Sequence, residues 1–215
     1  MPTFSQTTTP GRTSLLQAVN TMLSVIGEAS INTLDGQQIN EASTAEATLL
    51  EFHRDGQARG WYWNTEKDYP FPADGTGGIT VPANLIKWEP NIYQYDGRYQ
   101  LRGQRVYDRE SHTYTITETP ILADVVWALA WDECPEVFNR WTLIRSARVF
   151  AGRVLGDESV VRLAGLDEVA ARAELDRSEL AHEKPNSLTG GPGMRPFPTF
   201  IPGPGLAGRQ WGPYG

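Results

Sequence analysis

The chain has 215 residues, 40% of them apolar, with a formal net charge of -7 and a sequence pI near 5.0. That length suits one large domain or two small ones, and the apolar share is enough for a real core. The negative balance argues against general nucleic-acid affinity, which comes from neutralising phosphates with Lys and Arg; an acidic wall can still surround DNA without holding it.

Cys134 is the one cysteine, which excludes an internal disulfide and fits a reducing cytoplasm. The polar, Thr-rich stretch from Met1 to Arg12 lacks the apolar centre of a signal peptide. No apolar run approaches the roughly 20 residues of a membrane span.

A first helix is predicted over Leu15 to Ile26, opened by a Ser14-x-x-Gln17 capping box and stopped by Gly27. Leu15, Leu16, Val19, Met22, Leu23 and Ile26 share one helical face. Asp35-Gly36 marks a turn. A second helix is predicted from Asn40, as N-cap, to Ala58, with Gly60 as its stop. Ala42, Ala45, Leu49 and Phe52 recur at helical spacing, and the small residues of its first half suit close packing against a neighbouring helix.

From Trp61 to Trp131 the composition turns to Trp, Tyr, Ile, Val, Thr, Gly and Pro. The strand candidates are 61–65, 79–81, 92–95, 99–101, 104–107, 114–117 and 125–131, with a hairpin turn at Tyr95-Asp96-Gly97-Arg98 and a longer one from Asp108 to His112. A third helix is predicted from Pro135 at its first position to Gly156. Its wide apolar stripe holds Val137, Phe138, Trp141, Ile144, Ala147, Phe150, Ala151 and Val154. Asp157 is the predicted cap of a fourth helix reaching Leu180 to His182, with Glu168 and Arg172 as an exposed i,i+4 pair and Val160, Leu163, Leu166, Ala170 and Ala173 facing inward. From Lys184 onward nearly half of the residues are Pro or Gly, so no regular element fits.

The predicted fold is α+β. An antiparallel four-helix bundle (14–60 and 132–183) carries an inserted small antiparallel β domain (61–131), preceded by an N-terminal arm (1–13) and followed by an extended Pro/Gly-rich tail (184–215). That tail also carries Phe197, Phe200, Ile201, Trp211 and Tyr214, which are the predicted partner-binding residues.

No catalytic, metal or cofactor site is expected. His53, His112 and His182 stand far apart, and His53 reads as a partly exposed surface histidine. Cys134 sits at a helix start, where the dipole lowers a thiol pKa, but neighbouring carboxylates oppose the thiolate and no base is near in sequence. Asp132, Glu133 and Glu136 suggest a paired-carboxylate or cation site, yet complementing a helix dipole explains them with less. Gly75-Thr76-Gly77-Gly78 lacks the Lys-Ser/Thr ending of a phosphate loop and reads as a turn. The tryptophans, Trp61 and Trp63 among them, read as core and interface packing. A glycan-binding module using Trp61 and Trp88 is the runner-up, and a polysaccharide-degrading enzyme, which needs two carboxylates in a cleft, ranks below it.

The order of two helices, a β insertion, two helices and a tail resembles the podovirus tail adaptor family, also called tail tubular protein A. The likeness covers roughly Leu15 to Leu180. It is carried by Ala18-Val19-Asn20 through Ile26-Gly27-Glu28, by Thr33-Leu34-Asp35-Gly36 and by Ala58-Arg59-Gly60-Trp61. A last segment runs from Asp132-Glu133 and Pro135 through Phe138, Trp141, Ala147 and Phe150 to Gly156. The resemblance implies a structural virion protein, assembled in the host cytoplasm and resident in the tail or neck. It implies a ring, usually of twelve copies, joining the portal protein to the tail nozzle and tail fibre proteins, with DNA passing through a central channel. The long Pro/Gly-rich tail departs from the shorter members.

Overall fold

The computed structural model describes residues 11–35, 40–156 and 158–183. Two compact units divide the chain, Met1–Glu179 and Leu180–Gly215, and of the second only Leu180–Glu183 are described. The architecture is mixed α+β, with four longer helices and two small antiparallel sheets.

Helix α1 spans Leu15–Val25. Ser14 accepts from the Gln17 backbone at 3.2 Å while the Gln17 side chain accepts from the Ser14 backbone at 3.0 Å, which is the expected capping box. Its end is a Schellman turn: Gly27 lies at φ 81°, with Glu28 N bonded to Leu23 O and Gly27 N to Ser24 O. Helix α2 spans Asn40–Gln57, so Asn40 is its first turn rather than a residue outside it. Helix α4 spans Glu136–Leu155, with Pro135 as N-cap, one position earlier than predicted, and Gly156 in the left-handed region as its stop. α1, α2 and α4 share one core, where Val19, Met22 and Leu23 meet Ala42, Ala45, Leu49, Trp131 and Phe150. Ala42 and Ala45 let α1 and α2 approach closely, as their small size predicts.

The β part lies between α2 and α4. Strands β1 (Thr65–Phe71) and β2 (Leu85–Pro90) flank the central β5 (Ile121–Trp127), all antiparallel. Between β2 and β5 come the one-turn helix α3 (Ile92–Tyr95) and the hairpin β3 (Tyr99–Arg102)–β4 (Arg105–Asp108). Ile121, Ala123 and Val125 alternate along β5 into a core with Phe71, Ile79, Val106 and Ile116.

Several expectations change here. Residues 62–64 form a turn and the first strand begins at Thr65, because Asn64 accepts from Trp61 N and closes a loop there. Residues 92–95 are a helical turn, so Asp96-Gly97, both at positive φ, end a helix instead of joining strands. The hairpin turn is Gly103-Gln104, where Gly103 takes φ 61° as a two-residue loop requires. Residues 114–117 are not a strand, and Thr80 alone of 79–81 makes an isolated bridge, to Arg105.

The turn after β4 is organised by Asp108, which is nearly fully buried. It accepts from Arg98 Nε and Nη2 at 3.0 and 2.6 Å and from the backbones of Glu110 and Ser111. The Arg98 guanidinium, chiefly, holds its carboxyl well below the usual carboxylate range. The resulting stabilisation is present above about pH 4 and fades as pH falls below that value, because the unfolded chain then binds the proton first. Asp108→Asn is expected to lower the unfolding free energy by about 2 kcal/mol in urea titration near neutral pH.

Helix α5 spans Glu158–Glu183. The predicted cap, Asp157, lies outside the described residues, as do the side chains of Val160 and Leu163. Leu166, Ala170 and Ala173 point outward, not inward. Among the described side chains of α5 the buried one is Leu175, which joins Trp61, Cys134, Phe138 and Trp141 in a second core. Glu168 does not pair with Arg172: it accepts from Arg148 of α4 at 2.6 Å, while Arg172 pairs with Asp176. α5 thus keeps an i,i+4 pair of its own, at Arg172–Asp176, while Glu168 ties it to α4.

Candidate interaction surfaces

His53 and Cys134 are held inside the fold, while His112 and His182 are exposed. His53 is 5% exposed, against the expectation of a surface position, with Trp131 and Phe138 rings 5.2 and 5.5 Å away. Its Nδ1 lies 3.1 Å from Gln57 Nε2. Burial lowers its pKa to about 4, so the ring is neutral at pH 7. Cys134 is buried, and burial followed by the Glu133 charge pushes its thiol up to about 12.

The acidic trio does not converge. Glu133 accepts from Ala130 N at 2.9 Å. Glu136 accepts both from Thr13 N, at 2.8 Å, and from Thr13 Oγ1, at 2.6 Å. The Asp132 carbonyl accepts from Arg12. The bonds of Glu136 and of the Asp132 carbonyl fasten the segment before α1 to the start of α4, whereas Glu133 closes a local turn. Among the described residues no group of three or more His, Cys, Asp or Glu side chains is placed to hold a metal ion, and no helix is long and apolar enough to cross a membrane. The glycine-rich turn is closed by Asp74, which accepts from Thr76 N, Thr76 Oγ1 and Gly78 N.

None of the six described tryptophans is exposed. Trp61 donates through Nε1 to Gly56 O at 2.8 Å and sits edge-on to Phe138 and Trp141. A sugar-binding platform needs an open ring face, and neither Trp61 nor Trp88 offers one. Gly56 is where α2 touches this cluster: a Cβ there would come within 2.8 Å of Trp141 Cζ3 and 3.1 Å of two Phe138 atoms. Gly56→Ala is therefore expected to destabilise by about 1–2 kcal/mol in urea, since overpacking outweighs the better helix propensity of alanine.

Two side chains join the helical part to the β part. Gln57 Oε1 accepts from Leu129 N at 2.7 Å, and Gln57 Nε2 donates to Leu129 O at 3.0 Å. Asn64 Nδ2 donates to Gln57 O and Trp127 O, and Asn64 O accepts from Trp127 N. The chain enters the β part at 58–64 and leaves it at 128–130, so both crossings are tied together and the orientation of the insertion is set. Sequence reading missed both residues: polar side chains at 57 and 64 carry no pattern that marks them as buried.

It also missed the arginines. Arg145 lies 4.6 Å from the Phe52 ring and 5.5 Å from Trp141; Arg172 lies 5.0 Å from Trp141 and 5.2 Å from Trp61; Arg59 lies 4.9 Å from Trp61. Guanidinium and aromatic planes thus alternate across α2, α4 and α5, an arrangement favoured by cation–π attraction. Trp141 and Arg145, one turn apart on α4, are the sequence signal that was available. These arginines border a groove of about 670 Å³. A second groove, of about 720 Å³, lies between α4 and the far side of α5, bordered by Glu136, Asp167 and Glu174. The predicted partner-binding residues Phe197, Phe200, Ile201, Trp211 and Tyr214 lie outside the described residues.

His53 and Cys134 are locked into the fold, and two charged grooves and an exposed apolar edge lie along α5. The chain matches the model of the tail tubular protein family over residues 16–185, and it belongs to that family. It is accordingly a structural component of the phage tail, of a family that is not an enzyme family and whose members assemble with other tail proteins. No curated protein matches the chain.

Proposed function

We propose that this protein is the tail adaptor subunit: a ring, of twelve copies by resemblance, that joins the portal protein to the tail nozzle and tail fibres and leaves a central channel for DNA. The observation that carries the reading is the family match over 16–185, which spans the helical part and its β insertion alike. In this reading residues 14–60 and 132–183 form a four-helix bundle that builds the ring wall, and 61–131 project from it. The tail from 184 to 215, through Phe197, Phe200, Ile201, Trp211 and Tyr214, is the joining element.

Two physical points support it. A net charge of -7 per copy is multiplied in a ring, and an acidic lumen repels phosphate, so DNA slides rather than sticks. The paired Gln57 and Asn64 contacts hold the two parts of one subunit in a single orientation, as a load-transmitting ring requires.

Light scattering and electron microscopy of the purified chain mixed with portal protein test the reading. A stable ring on the portal is the expected outcome; the absence of any complex with the portal refutes it. Hydrogen exchange on the tail, compared between free chain and assembled particle, tests the joining element, which is expected to gain protection only on assembly.

A further inference from the structure

Helix α5 is seated on the chain by one edge. Leu175 is buried and Ala171 half-buried, whereas Leu166 and Val169 are each 69% exposed and Ala170 and Ala173 are open to solvent. At about 100° per residue, Leu166 and Ala173 lie on the side of α5 opposite Leu175. An apolar ridge therefore runs along the outside of an otherwise charged helix, and no described residue covers it.

The two grooves lie on either flank of that ridge. Gly165, Glu168, Val169 and Arg172 face one, and Asp167, Ala170, Ala171 and Glu174 face the other. Helical geometry puts these two sets on nearly opposite sides of α5. Their charges are opposite as well. The first groove holds Arg59, Arg145, Arg148 and Arg172 against Asp55 and Glu168, a formal balance of +2. The second holds Glu136, Asp167 and Glu174 against Arg140, a balance of -2. Asp176, which pairs with Arg59 and Arg172, and Arg177, which pairs with Glu174, reduce these to +1 and -1 without changing either sign.

We infer that the α5 ridge and its two grooves are the contact between copies of this chain: the arginine groove of one copy faces the acidic groove of the next, and the apolar ridge is buried along the seam. The occupant is a second copy because the two halves of the complementarity sit on the same chain. Opposite potentials on the two flanks steer encounter and set register, while the ridge supplies the apolar area that surface charge alone lacks. The inference rests on the ring reading above, since a head-to-tail contact closes into a ring when the rotation per step allows it.

Charge reversal tests it with the full chain at low ionic strength, by sedimentation velocity, alone and with portal protein. Arg59→Glu/Arg145→Glu makes the first groove acidic; Asp167→Lys/Glu174→Lys makes the second basic. Each double variant is expected to self-associate about tenfold or more weakly than the parent, because like now faces like. Mixed in equal amounts, the two variants are expected to assemble again beyond the dimer, since alternating copies then present opposite charges at every contact. Melting temperature confirms that each variant is folded; where Arg145→Glu unfolds the chain, Arg59→Glu alone, at a half-exposed side chain, replaces it. Variants that assemble as the parent does, a mixture that stays monomeric, or one that stops at the dimer each overturn the inference. A parent that fails to associate both alone and with portal overturns the ring reading itself, and this contact with it.

Discussion

Gln57→Ala is expected to lower the unfolding free energy by about 4 kcal/mol. The side chain is 1% exposed and satisfies three groups at once: Leu129 N, Leu129 O and His53 Nδ1. Truncation leaves each of them unpaired, and a buried polar group without a partner costs about 1–3 kcal/mol. Urea unfolding measures the loss. A value below about 1 kcal/mol would show that water replaces the amide and that the crossing is not dry.

A double-mutant cycle with Asn64→Ala gives a sharper reading. Asn64 bonds to the carbonyl of Gln57 and to both the carbonyl and, through its own carbonyl, the amide of Trp127. If the two side chains tie the same pair of crossings, their effects couple, and the double variant loses about 1 kcal/mol less than the sum of the singles. Additive effects would place them in separate contacts. Native-state hydrogen exchange on β5 supplies a second readout, because a loosened junction exposes the strand's end before the rest of the core.

What was legible in the sequence was what is decided locally. The Ser14–Gln17 capping box and the Gly27 stop depend on residues a few positions apart, and both are present. The small residues of α2 lie where their spacing places them, and of the predicted α4 stripe Phe138, Trp141, Phe150 and Ala151 are buried, whereas Val154 is exposed and Asn139, Thr142 and Ser146 are buried in its stead. What failed was decided by distant contacts. Asp96-Gly97 has the composition of a hairpin turn, but Asn91 N donates to Leu122 O and Tyr95 Oη accepts from Leu122 N, so both ends of 92–95 are held against β5 and the segment winds into one helical turn. Trp61 and Trp63 alternate like a strand, yet Trp61 is drawn into the α4 cluster and Asn64 closes a turn around it. α5 is the clearest case. Its apolar residues are spread widely enough to allow more than one inward face, and the contacts of Leu175, Arg148 and Glu168 choose among them. Leu166, Ala170 and Ala173 are left outside by that choice, uncovered by any described residue, which is why the miss on them points to the surface rather than to the core. The candidate surfaces were illegible for the same reason: Arg59, Arg145 and Arg172 become neighbours only once three helices meet around Trp61 and Trp141.

His53 turns the same junction into a source of pH dependence. Gln57 Oε1 is committed to Leu129 N, so its Nε2 faces the imidazole as a donor and Nδ1 must accept. The ring is therefore the neutral tautomer protonated on Nε2, and a second proton would have to enter at Nδ1, against an N–H donor and in apolar surroundings. Burial accordingly lowers the pKa to about 4 from an ordinary 6.5. The sign follows directly: between these values the unfolded chain binds a proton that the folded chain refuses, so stability is fully present above about pH 6.5 and falls as pH drops towards 4. At about 1.4 kcal/mol per unit the total loss is on the order of 3 kcal/mol. Urea titrations at pH 7, 5.5 and 4.5 should show that decline, and His53→Leu should flatten it while costing stability at pH 7 through the unpaired Gln57 amide. A His53→Leu variant with an unchanged slope would assign the decline to other groups. With Gln57→Ala as background the imidazole loses the donor that opposes its protonation, so the decline should shrink there too. An undiminished decline in that background would leave burial alone as the cause of the lowered pKa.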